Sequence, residues 1–346
     1  MATGGDGATP EQGAGPERMV RLLAGFEVSQ ALYAVAKLDI ATVMNEGVSE
    51  VAEIAASTGT DALAVKRVLR TLTDFGVVEQ RGDTEFVLAD LGATLASNVS
   101  GSLRDLAIML METHYLPFER FVDTVRTGRP AADIYFGQSF FEWLNAEPER
   151  AEQFSAAMAS VTDGMQSDVF SGYRLPAGEL VADLGGADGS VLLRLLREHP
   201  DRRGVVHDLP AVVAAARTRV AEEGFDGRVD VVGGSFFEAV PVADVYVLST
   251  VLHDWDDESC KALLTRIART AAVGARLVVV EMIMPITGEV HASKQVDLTM
   301  LGMVTGRERT LPEFTDLLAN AGFRLDRVVP TAETSSYEII EATLTG

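Results

Sequence analysis

Cysteine, basic residues and long apolar runs are all scarce in this 346-residue sequence. The single cysteine, Cys260, excludes an intrachain disulfide and suits a reducing compartment, so we expect a cytoplasmic protein. Only 29 lysines and arginines stand against 51 acidic residues, and the formal net charge of -22 repels phosphate backbones and anionic lipids. The sequence has no run of about 18 apolar residues, so we predict no membrane span. We therefore expect neither nucleic acid nor a membrane as a partner.

The length and the apolar fraction of 47% predict two folded domains. Residues 1–18 are dominated at first by glycine, alanine, proline and acid, which predicts a disordered tail rather than a basic-then-apolar leader. Residues 19–172 show mainly helical spacing of apolar residues, and residues 173–346 alternate strands with helices. The sequence thus predicts a helical N-terminal domain followed by an α/β domain.

The N-terminal domain contains the pattern of a winged helix. Short helices are predicted at 51–57 and from Asp61 to Gly76, and strands at 77–80 and 85–88 are joined by a turn at Arg81-Gly82-Asp83. Winged helices often bind DNA, and the second helix offers Lys66, Arg67 and Arg70. The acidic balance of the whole chain argues against DNA. A dimerisation module is the alternative, since a second chain would cover the long apolar first helix.

Aromatic residues and methionines are concentrated between residues 100 and 172. Met111, His114, Phe154 and Met158 are among them. Such a stripe is more often core than pocket, although methionine and aromatic side chains also line adaptable clefts for flat ligands.

The second domain predicts a doubly wound, mostly parallel, Rossmann-like sheet, because strands starting near residues 180, 204, 229, 243 and 275 are separated by helices. Two further strands, at 324–331 and 337–344, complete the prediction. Ligands of such sheets bind outside the carboxyl ends of the strands. That edge of the sheet is where we expect the functional residues.

The ends of the first and second strands suggest a ligand that contains adenosine. The first strand ends in Asp183-Leu184-Gly185-Gly186, where glycines allow a tight turn and close backbone approach. The second ends in Asp208-Leu209, 25 positions after Asp183, where an acid can accept hydrogen bonds from ribose hydroxyls. The turn lacks the Lys-Ser/Thr pair of a triphosphate-binding loop.

Later strand ends carry groups for stacking and for acid–base chemistry. Phe236, beside Ser235, can stack on a flat heterocycle, although both Phe236 and Phe237 could instead pack in the core. His253 follows the fourth strand, which we predict over residues 243–254, and suits a general base because its ordinary pKa lies near neutrality. Glu281 and Glu308 could orient its ring. A metal is not expected, since no second histidine stands at ligand spacing.

Taken together, these residues resemble class I methyltransferases that use S-adenosylmethionine (SAM), and more closely the caffeate-type and bacterial natural-product O-methyltransferases. The resemblance runs from about residue 19 to the end and rests on DLGGADG, HDLPAVV, LHDWDDESC, VVVEMIMP and GRERTLPEF. It implies a homodimer formed through the N-terminal domain, which also supplies a lid over the substrate. It further implies methylation of a phenolic hydroxyl on a small aromatic molecule, of the kind found in antibiotic biosynthesis.

The resemblance also implies a role for particular residues. His253 matches the family's catalytic base and Glu281 and Glu308 its supporting glutamates. The cofactor would contact Asp183, Gly185, Gly186, Asp208, Leu209, Ser235, Phe236 and Ser249, and the substrate Met111, Phe154, Met158, Met300 and Met303. This sequence departs from the family at Ala187, where a third glycine is common, at Ser235, where an acid is common, and at Ser249, where plant members have a basic residue. A polar residue of plant members falls near Met303 or Val304, so we expect a more apolar pocket.

Two alternatives remain at this stage. Some relatives bind SAM but catalyse hydroxylation, decarboxylation or pericyclic reactions, and the presence of His253, Glu281 and Glu308 favours methyl transfer over these. A winged-helix regulator that senses a small molecule is the other alternative, and the acidic charge argues against it.

Overall fold

The computed structural model of the chain describes residues 15–165, 168–331 and 335–346. Contacts divide the chain into one unit that ends at Glu112 and another that begins at Thr113. Residues 1–14 of the predicted tail lie outside the described residues. Residues 15–18 are helical, because α1 starts at Gly15. Pro16 and Glu17 suit its first turn, where proline loses no hydrogen bond and an acid complements the helix dipole.

In the first unit, helices surround one short hairpin. Its elements are α1 (Gly15–Leu23), α2 (Gly25–Lys37), α3 (Ile40–Asn45), α4 (Val51–Thr58), α5 (Ala62–Thr73), β1 (Val78–Gln80), β2 (Phe86–Leu88), α6 (Asp90–Ala93) and α7 (Arg104–Met109). Strands β1 and β2 pair antiparallel, with Val78 opposite Leu88, which confirms the predicted hairpin. The side chain of Asp61 accepts a hydrogen bond from the Ala64 amide and caps α5 as predicted. The assignment of this unit as a winged helix stays a prediction.

No single helix among the described residues has the length and hydropathy to cross a membrane. Helices α1 and α2 meet those criteria only as a pair, and the pair is bent by 46°.

The second unit begins with helices and continues as an α/β sheet. A π-helical turn, Leu110–His114, leads into it, and a 3-10 turn follows at Pro117–Arg120. Helices α8 (Phe121–Thr127), α9 (Ala131–Phe136), α10 (Phe140–Asn145) and α11 (Pro148–Met165) come next. The remaining elements are β3 (Leu180–Leu184), α12 (Ser190–Arg197), β4 (Arg203–Asp208), α13 (Val213–Glu222), β5 (Val229–Gly233), β6 (Val245–Ser249), α14 (Asp257–Thr270), β7 (Arg276–Met282), α15 (Ser293–Met303), α16 (Leu311–Asn320), β8 (Phe323–Val329) and β9 (Tyr337–Leu344).

The seven strands β3–β9 form one sheet in the order β5-β4-β3-β6-β7-β9-β8. Strands β5, β4, β3, β6 and β7 run parallel to one another, while β9 runs antiparallel to both β7 and β8. Val181 and Ala182 of β3 point to opposite faces, yet both are fully buried, as expected for a sheet covered by helices on both sides. The predicted α/β, mostly parallel sheet is therefore confirmed.

The division between the units does not coincide with the predicted boundary at residues 172 and 173. The helices after Thr113 group with the sheet because Phe140 and Leu144 of α10 pack against Met300 and Met303 of α15. Helix α15 itself lies in a stretch for which the sequence predicted no element. Its residues, SKQVDLTMLGM, mix polar and apolar positions too evenly to indicate one buried face.

Candidate active site

The turn after β3 is shaped by residues with left-handed backbone. Gly185 has φ +72° and Gly189 φ +80°, and α12 begins directly afterwards at Ser190. A Cβ on Gly185 would lie 2.8 Å from a methyl group of Val251, so glycine is needed there for space as well as for backbone angle. Ala187 also has positive φ, 45°, at the position where the family commonly has a third glycine. That conformation costs an alanine about 1–2 kcal/mol.

Asp208, at the end of β4, is joined to this turn by its carboxylate. Its Oδ2 accepts a hydrogen bond of 2.8 Å from the amide of Ala187, and its Oδ1 accepts one of 2.6 Å from the amide of Leu209. Burial raises the pKa of Asp208, and these two hydrogen bonds partly counter that rise. Each oxygen keeps a second lone pair, so the carboxylate can still accept bonds from two ribose hydroxyls.

Ser235, Phe236 and Ser249 lie at the carboxyl ends of β5 and β6, two strands that β4 and β3 separate in the sheet. Ser235 follows β5, and its hydroxyl accepts a hydrogen bond of 3.2 Å from the amide of Phe237. The Phe236 ring lies edge-to-face with Phe237 and Trp255, and one of its carbons is 3.8 Å from the position of a Cβ on Gly185. Ser249 is the last residue of β6. Both phenylalanines are half-buried and pack against the core, so a stacking role for Phe236 stays a prediction.

These residues fit a cofactor that contains adenosine. The glycine turn presents backbone without side chains, Asp208 presents acceptors for hydroxyls, and Phe236 presents an aromatic ring close to Gly185. Asp183 is buried beneath the turn, and among the described residues its Oδ2 has no hydrogen-bond partner. Burial, together with the charges of Asp208 and Asp188, raises the pKa of Asp183 to about 7. The site is therefore rich in acceptors, which suits a cation or a hydroxyl donor.

His253 lies in a 3-10 turn rather than on a strand. Strand β6 ends at Ser249, Thr250 has φ +51°, and the 3-10 turn spans Leu252–Asp254, so the prediction of a strand reaching residue 254 is wrong. The cause is Glu281 at the end of β7. Its Oε1 accepts hydrogen bonds from the amides of Val251, Leu252 and His253 at 3.1, 2.9 and 3.3 Å, which bends the chain around one buried carboxylate.

Glu308 holds the imidazole of His253. The Nδ1 atom donates a hydrogen bond of 2.8 Å to Oε1 of Glu308, and Oε2 of Glu281 lies 3.7 Å from the same nitrogen. When the ring is neutral, the carboxylate acceptor favours the tautomer with its proton on Nδ1 and its free lone pair on Nε2. The His253 side chain is 15% exposed, while the side chains of Glu281 and Glu308 are 0% and 1% exposed. Only the histidine of the three can therefore meet a ligand.

The charges around His253 change its basicity. Burial lowers the pKa of His253, but the charges of Glu281, Asp254 and Glu308 outweigh burial and raise it to about 10. Burial raises the pKa of Asp254 to about 6, although His253 opposes that rise. Burial raises the pKa of Glu281 to about 7, again against His253. An imidazolium is thus well stabilised here.

The side chains of His253, Glu281 and Glu308 lie near enough to one another to hold a cation. One nitrogen or oxygen atom of each lies within 4.8 Å of the others. The 2.8 Å hydrogen bond places a proton between His253 and Glu308. The expectation that no metal is bound stays a prediction.

The structure brings together some of the predicted substrate residues. Met300 and Met303 of α15 are buried in one cluster with Phe140 and Val304, and Phe154 of α11 packs against it. The Phe154 and Phe140 rings meet edge-to-face at 5.7 Å. This cluster is apolar. The expectation of a more apolar substrate pocket stays a prediction. A substrate role for any of these residues stays a prediction.

Two predicted substrate residues, Met158 and Met111, are not among the residues of that cluster. Met158 is half-buried on α11, one turn beyond Phe154, and therefore shares a face with it. Met111 belongs to the first unit, where its sulfur accepts a hydrogen bond of 3.5 Å from Gln30.

Sequence analysis missed Arg309 and Gly306, which contact the turn that carries His253. Arg309 is fully buried, and a Cβ on Gly306 would lie 1.9 Å from the carbonyl oxygen of His253. The only hint in the sequence is an arginine within the short link between α15 and α16. Its burial depends on packing between segments more than 50 positions apart.

Comparison with known proteins gives matches over most of the chain. Residues 118–324 match the family model described as an O-methyltransferase domain, and residues 20–98 match the O-methyltransferase dimerisation domain. The phenazine O-methyltransferase PhzM of Lysobacter antibioticus is 38% identical over 325 residues, which cover 94% of this chain and 95% of that protein.

Two further relatives differ in the atom they methylate or in what they bind. The 8-amino-8-demethylriboflavin N,N-dimethyltransferase of Streptomyces davaonensis is 33% identical, and the alignment covers 92% of each chain. An O-methyltransferase from neocarzinostatin biosynthesis, solved with SAM and 2-hydroxy-5-methyl naphthoic acid, has a TM-score of 0.80 and 34% identity. That alignment covers 94% of this chain and 98% of the other.

Proposed function

Because this chain belongs to the O-methyltransferase family and is a SAM-dependent enzyme of the class I methyltransferase fold, we propose that it methylates a phenolic hydroxyl of an aromatic natural product, with His253 as the base. The observation that carries the proposal is the His253–Glu308 hydrogen bond of 2.8 Å, which leaves Nε2 as the free nitrogen of a partly exposed imidazole.

Bound SAM supplies a methyl group on a positively charged sulfur, so that the O–CH3 bond forms as the S–CH3 bond breaks and S-adenosylhomocysteine remains. Asp208 and the glycine turn hold the adenosine end of the cofactor. His253 takes the phenol proton on Nε2 while the oxygen gains its methyl group. Most of the acceleration comes from alignment of the two reactants, because a fixed geometry replaces a bimolecular encounter.

The pKa of His253 suits this transfer. A phenol of ordinary acidity has a pKa of about 10, and the surrounding carboxylates raise the pKa of His253 to about 10. A proton therefore moves between the two at little cost in free energy. Glu308 orients the ring, and Glu281 shapes the turn while its charge stabilises the imidazolium.

The apolar cluster on α10, α11 and α15 supports the proposed substrate class. Phe140, Phe154, Met300 and Met303 offer flat rings and adaptable thioethers, which favour a flat aromatic ligand over a sugar or a peptide. Relatives named for phenazine methylation, or solved with a naphthoic acid, support a fused-ring acceptor.

The functional form we propose is a homodimer. The match to the dimerisation domain supports it, as do the exposed apolar side chains of α1, among them Val20, Leu22 and Leu23, which are 64–70% exposed. Light scattering coupled to size-exclusion chromatography measures the mass directly, and a mass equal to one chain would contradict the proposal.

The decisive experiment mixes the protein with SAM and fused-ring phenols such as hydroxynaphthoates and hydroxyphenazines. The mass of the product and the amount of S-adenosylhomocysteine are measured together, for wild type and for His253→Ala. A gain of one methyl group that collapses in the variant supports the proposal. Methyl transfer that survives in the variant rejects the base, and an altered but unmethylated acceptor rejects methyl transfer itself.

An amine acceptor is the second candidate, because one relative is named as an N,N-dimethyltransferase. A neutral amine attacks through its own lone pair, so it does not need a base to remove a proton first. Aromatic amines in the same panel distinguish the two. A methylated amine whose rate is unchanged in His253→Ala would favour this candidate over the phenol.

A further inference from the structure

Arg309 forms hydrogen bonds to the turn that carries His253, on both sides of the histidine. One terminal nitrogen of its guanidinium, Nη1, donates a hydrogen bond of 2.8 Å to the carbonyl of Leu252. The other, Nη2, donates one of 2.8 Å to the carbonyl of Trp255. These carbonyls precede and follow the histidine in the chain. The planar guanidinium thus spans the turn and fixes the distance between its two ends.

The charge of Arg309 is satisfied by a single carboxylate. Its Nε and Nη2 donate hydrogen bonds of 3.0 and 2.8 Å to Oδ1 of Asp257, in the first turn of α14. Arg309 itself is fully buried. Burying a guanidinium is costly unless its donors are used. Here the donors serve the Asp257 carboxylate and the backbone of the turn.

The same segment also delivers Glu308 to the histidine. Glu308 precedes Arg309 in the chain, and its amide donates a hydrogen bond of 2.9 Å to Asp297 of α15. The carbonyl of Arg309 accepts one of 2.8 Å from the amide of Met284, just after β7. At Gly306 the backbone lies against His253 and Asp254 with no room for a side chain. Residues 306–309 therefore hold the imidazole of His253 and the carboxylate of Glu308 in a fixed relative position.

We propose that Arg309 is a positioning residue that sets the hydrogen bond between His253 and Glu308. It touches neither cofactor nor substrate in this role and acts through the histidine turn. The catalytic consequence rests on the proposed role of His253 as base. The effect of Arg309 on the hydrogen bond of the His253 imidazole does not depend on whether His253 acts as the base.

The chain offers a matched control in Arg307. Its guanidinium binds the same Asp257 at 3.0 Å and also Glu313, but it donates no hydrogen bond to the carbonyls of Leu252 or Trp255 among the contacts of the described residues. Arg307→Gln removes a charge from the same segment and the same carboxylate. Arg309→Gln removes in addition the two bonds to the turn.

The first measurement is the NMR spectrum of the histidine side chains, which needs no substrate. His253 is assigned by its loss in His253→Ala. We expect its Nδ1 proton to show a strong hydrogen bond in wild type and in Arg307→Gln, and to shift or exchange with water in Arg309→Gln. An unchanged His253 resonance in Arg309→Gln overturns the proposal, whatever the activity of the enzyme.

The second measurement is the kinetics of methyl transfer, with binding of S-adenosylhomocysteine as the test of folding. We expect Arg309→Gln to lower kcat by about 10- to 100-fold and to leave the KM for SAM nearly unchanged, with partial recovery in Arg309→Lys. When His253 is already alanine, Arg309→Gln should cause no further loss in kcat, because the imidazole through which Arg309 acts is absent. A further loss there, or a loss of cofactor binding, identifies a merely structural residue and overturns the proposal.

If Arg309→Gln does not fold, Arg309→Lys carries both measurements. Lysine keeps the charge but reaches one carbonyl instead of two. A wild-type imidazole spectrum in that variant overturns the proposal. If His253→Ala leaves kcat unchanged while the His253 resonance still depends on Arg309, then the proposed base fails and the positioning role stands.

Discussion

Nδ1 of His253 and Oε1 of Glu308 lie 2.8 Å apart although 55 positions separate the two residues in the chain. One follows β6 and the other precedes α16, and both are held at the carboxyl edge of the sheet. This contact orients the imidazole of His253, as its proposed role as a base requires.

Replacement of His253 by alanine should abolish most of the methyl transfer without loss of cofactor. General base catalysis contributes about 10²- to 10⁴-fold to a rate, so we expect kcat to fall by that factor. Calorimetry with S-adenosylhomocysteine should give an unchanged Kd, because Asp208 and the glycine turn do not contact the imidazole in the described structure. A variant that keeps more than half of the wild-type kcat would exclude His253 as the base.

The pH dependence of the rate should move when Glu308 is neutralised. The pKa of His253 is about 10, so its imidazole is protonated at neutral pH, and a rate that needs the neutral base rises as the pH increases towards that value. Glu308 raises this pKa, and Glu308→Gln therefore lowers it and shifts the rising limb to lower pH. The plateau should also fall, because a glutamine amide orients the ring less firmly.

Profiles of kcat/KM between pH 5.5 and 10 would measure this, with two phenols of different acidity as acceptors. If the rising part of the pH profile moves with the pKa of the phenol and does not move in Glu308→Gln, the group that titrates is the substrate and not His253.

Asp208→Asn should weaken cofactor binding. The carboxylate already bonds the amides of Ala187 and Leu209, and an asparagine cannot keep both bonds and also accept from ribose hydroxyls. Loss of one hydrogen bond to a charged group costs about 1.5–3 kcal/mol, so we expect the Kd for S-adenosylhomocysteine to rise at least about tenfold. Asp230→Asn on the neighbouring β5, where the acid is exposed, is the control. Equal Kd values for the two variants would refute the assignment.

Gly306→Ala should damage both stability and catalysis. The added Cβ would lie 1.9 Å from the carbonyl oxygen of His253 and 2.3 Å from the carbonyl carbon of Asp254, and backbone cannot move aside as a side chain can. Overpacking of this kind costs about 1–3 kcal/mol, so Tm should fall by several degrees. Gly288→Ala, in a loop with nothing within 4 Å of the new Cβ, should change neither Tm nor kcat. Equal behaviour of the two variants would show that the close approach is not required.

Asp183→Asn should stabilise the ligand-free protein at neutral pH. Burial raises the pKa of Asp183 to about 7 in the folded state, above its ordinary value near 4. Folding thus favours the protonated acid, and the stability it contributes is complete below pH 4 and is lost as the pH rises through 7. The gain in Tm of the variant should grow between pH 4 and 7 and then level off. The corresponding gain in the free energy of unfolding has an upper bound of about 4 kcal/mol. A Tm difference independent of pH would contradict a raised pKa.

Much of the fold could be predicted from local patterns. Apolar runs between helical segments located the starts of β3 to β9 to within two positions. The signal is clear in β3, β6 and β7, because a strand buried on both faces has few polar residues. Asp61 identified the start of α5, and the turn at Arg81-Gly82-Asp83 identified the hairpin, since capping and tight turns depend on neighbours in the chain. The strand-end rule then selected Asp208 and His253.

The same patterns failed where a distant residue determines local structure. The strand predicted to reach residue 254 ends at Ser249, because three amides of the following turn bond to Glu281 on another strand. The helices between residues 113 and 165 look like the rest of the N-terminal half, yet they group with the sheet through α15. Periodicity indicates which face of a segment is buried but not which segment buries it.

The sequence by itself therefore determined the class of fold, the edge of the sheet that bears the site, and the residue types available there. Only the tertiary structure decided that Glu308 is the direct partner of His253, that Glu281 shapes the turn, and that Arg309 is buried behind it. The physical reason is that hydrogen bonds act over about 3 Å. Which side chains come within that distance depends on strand order and on packing between segments far apart in the chain.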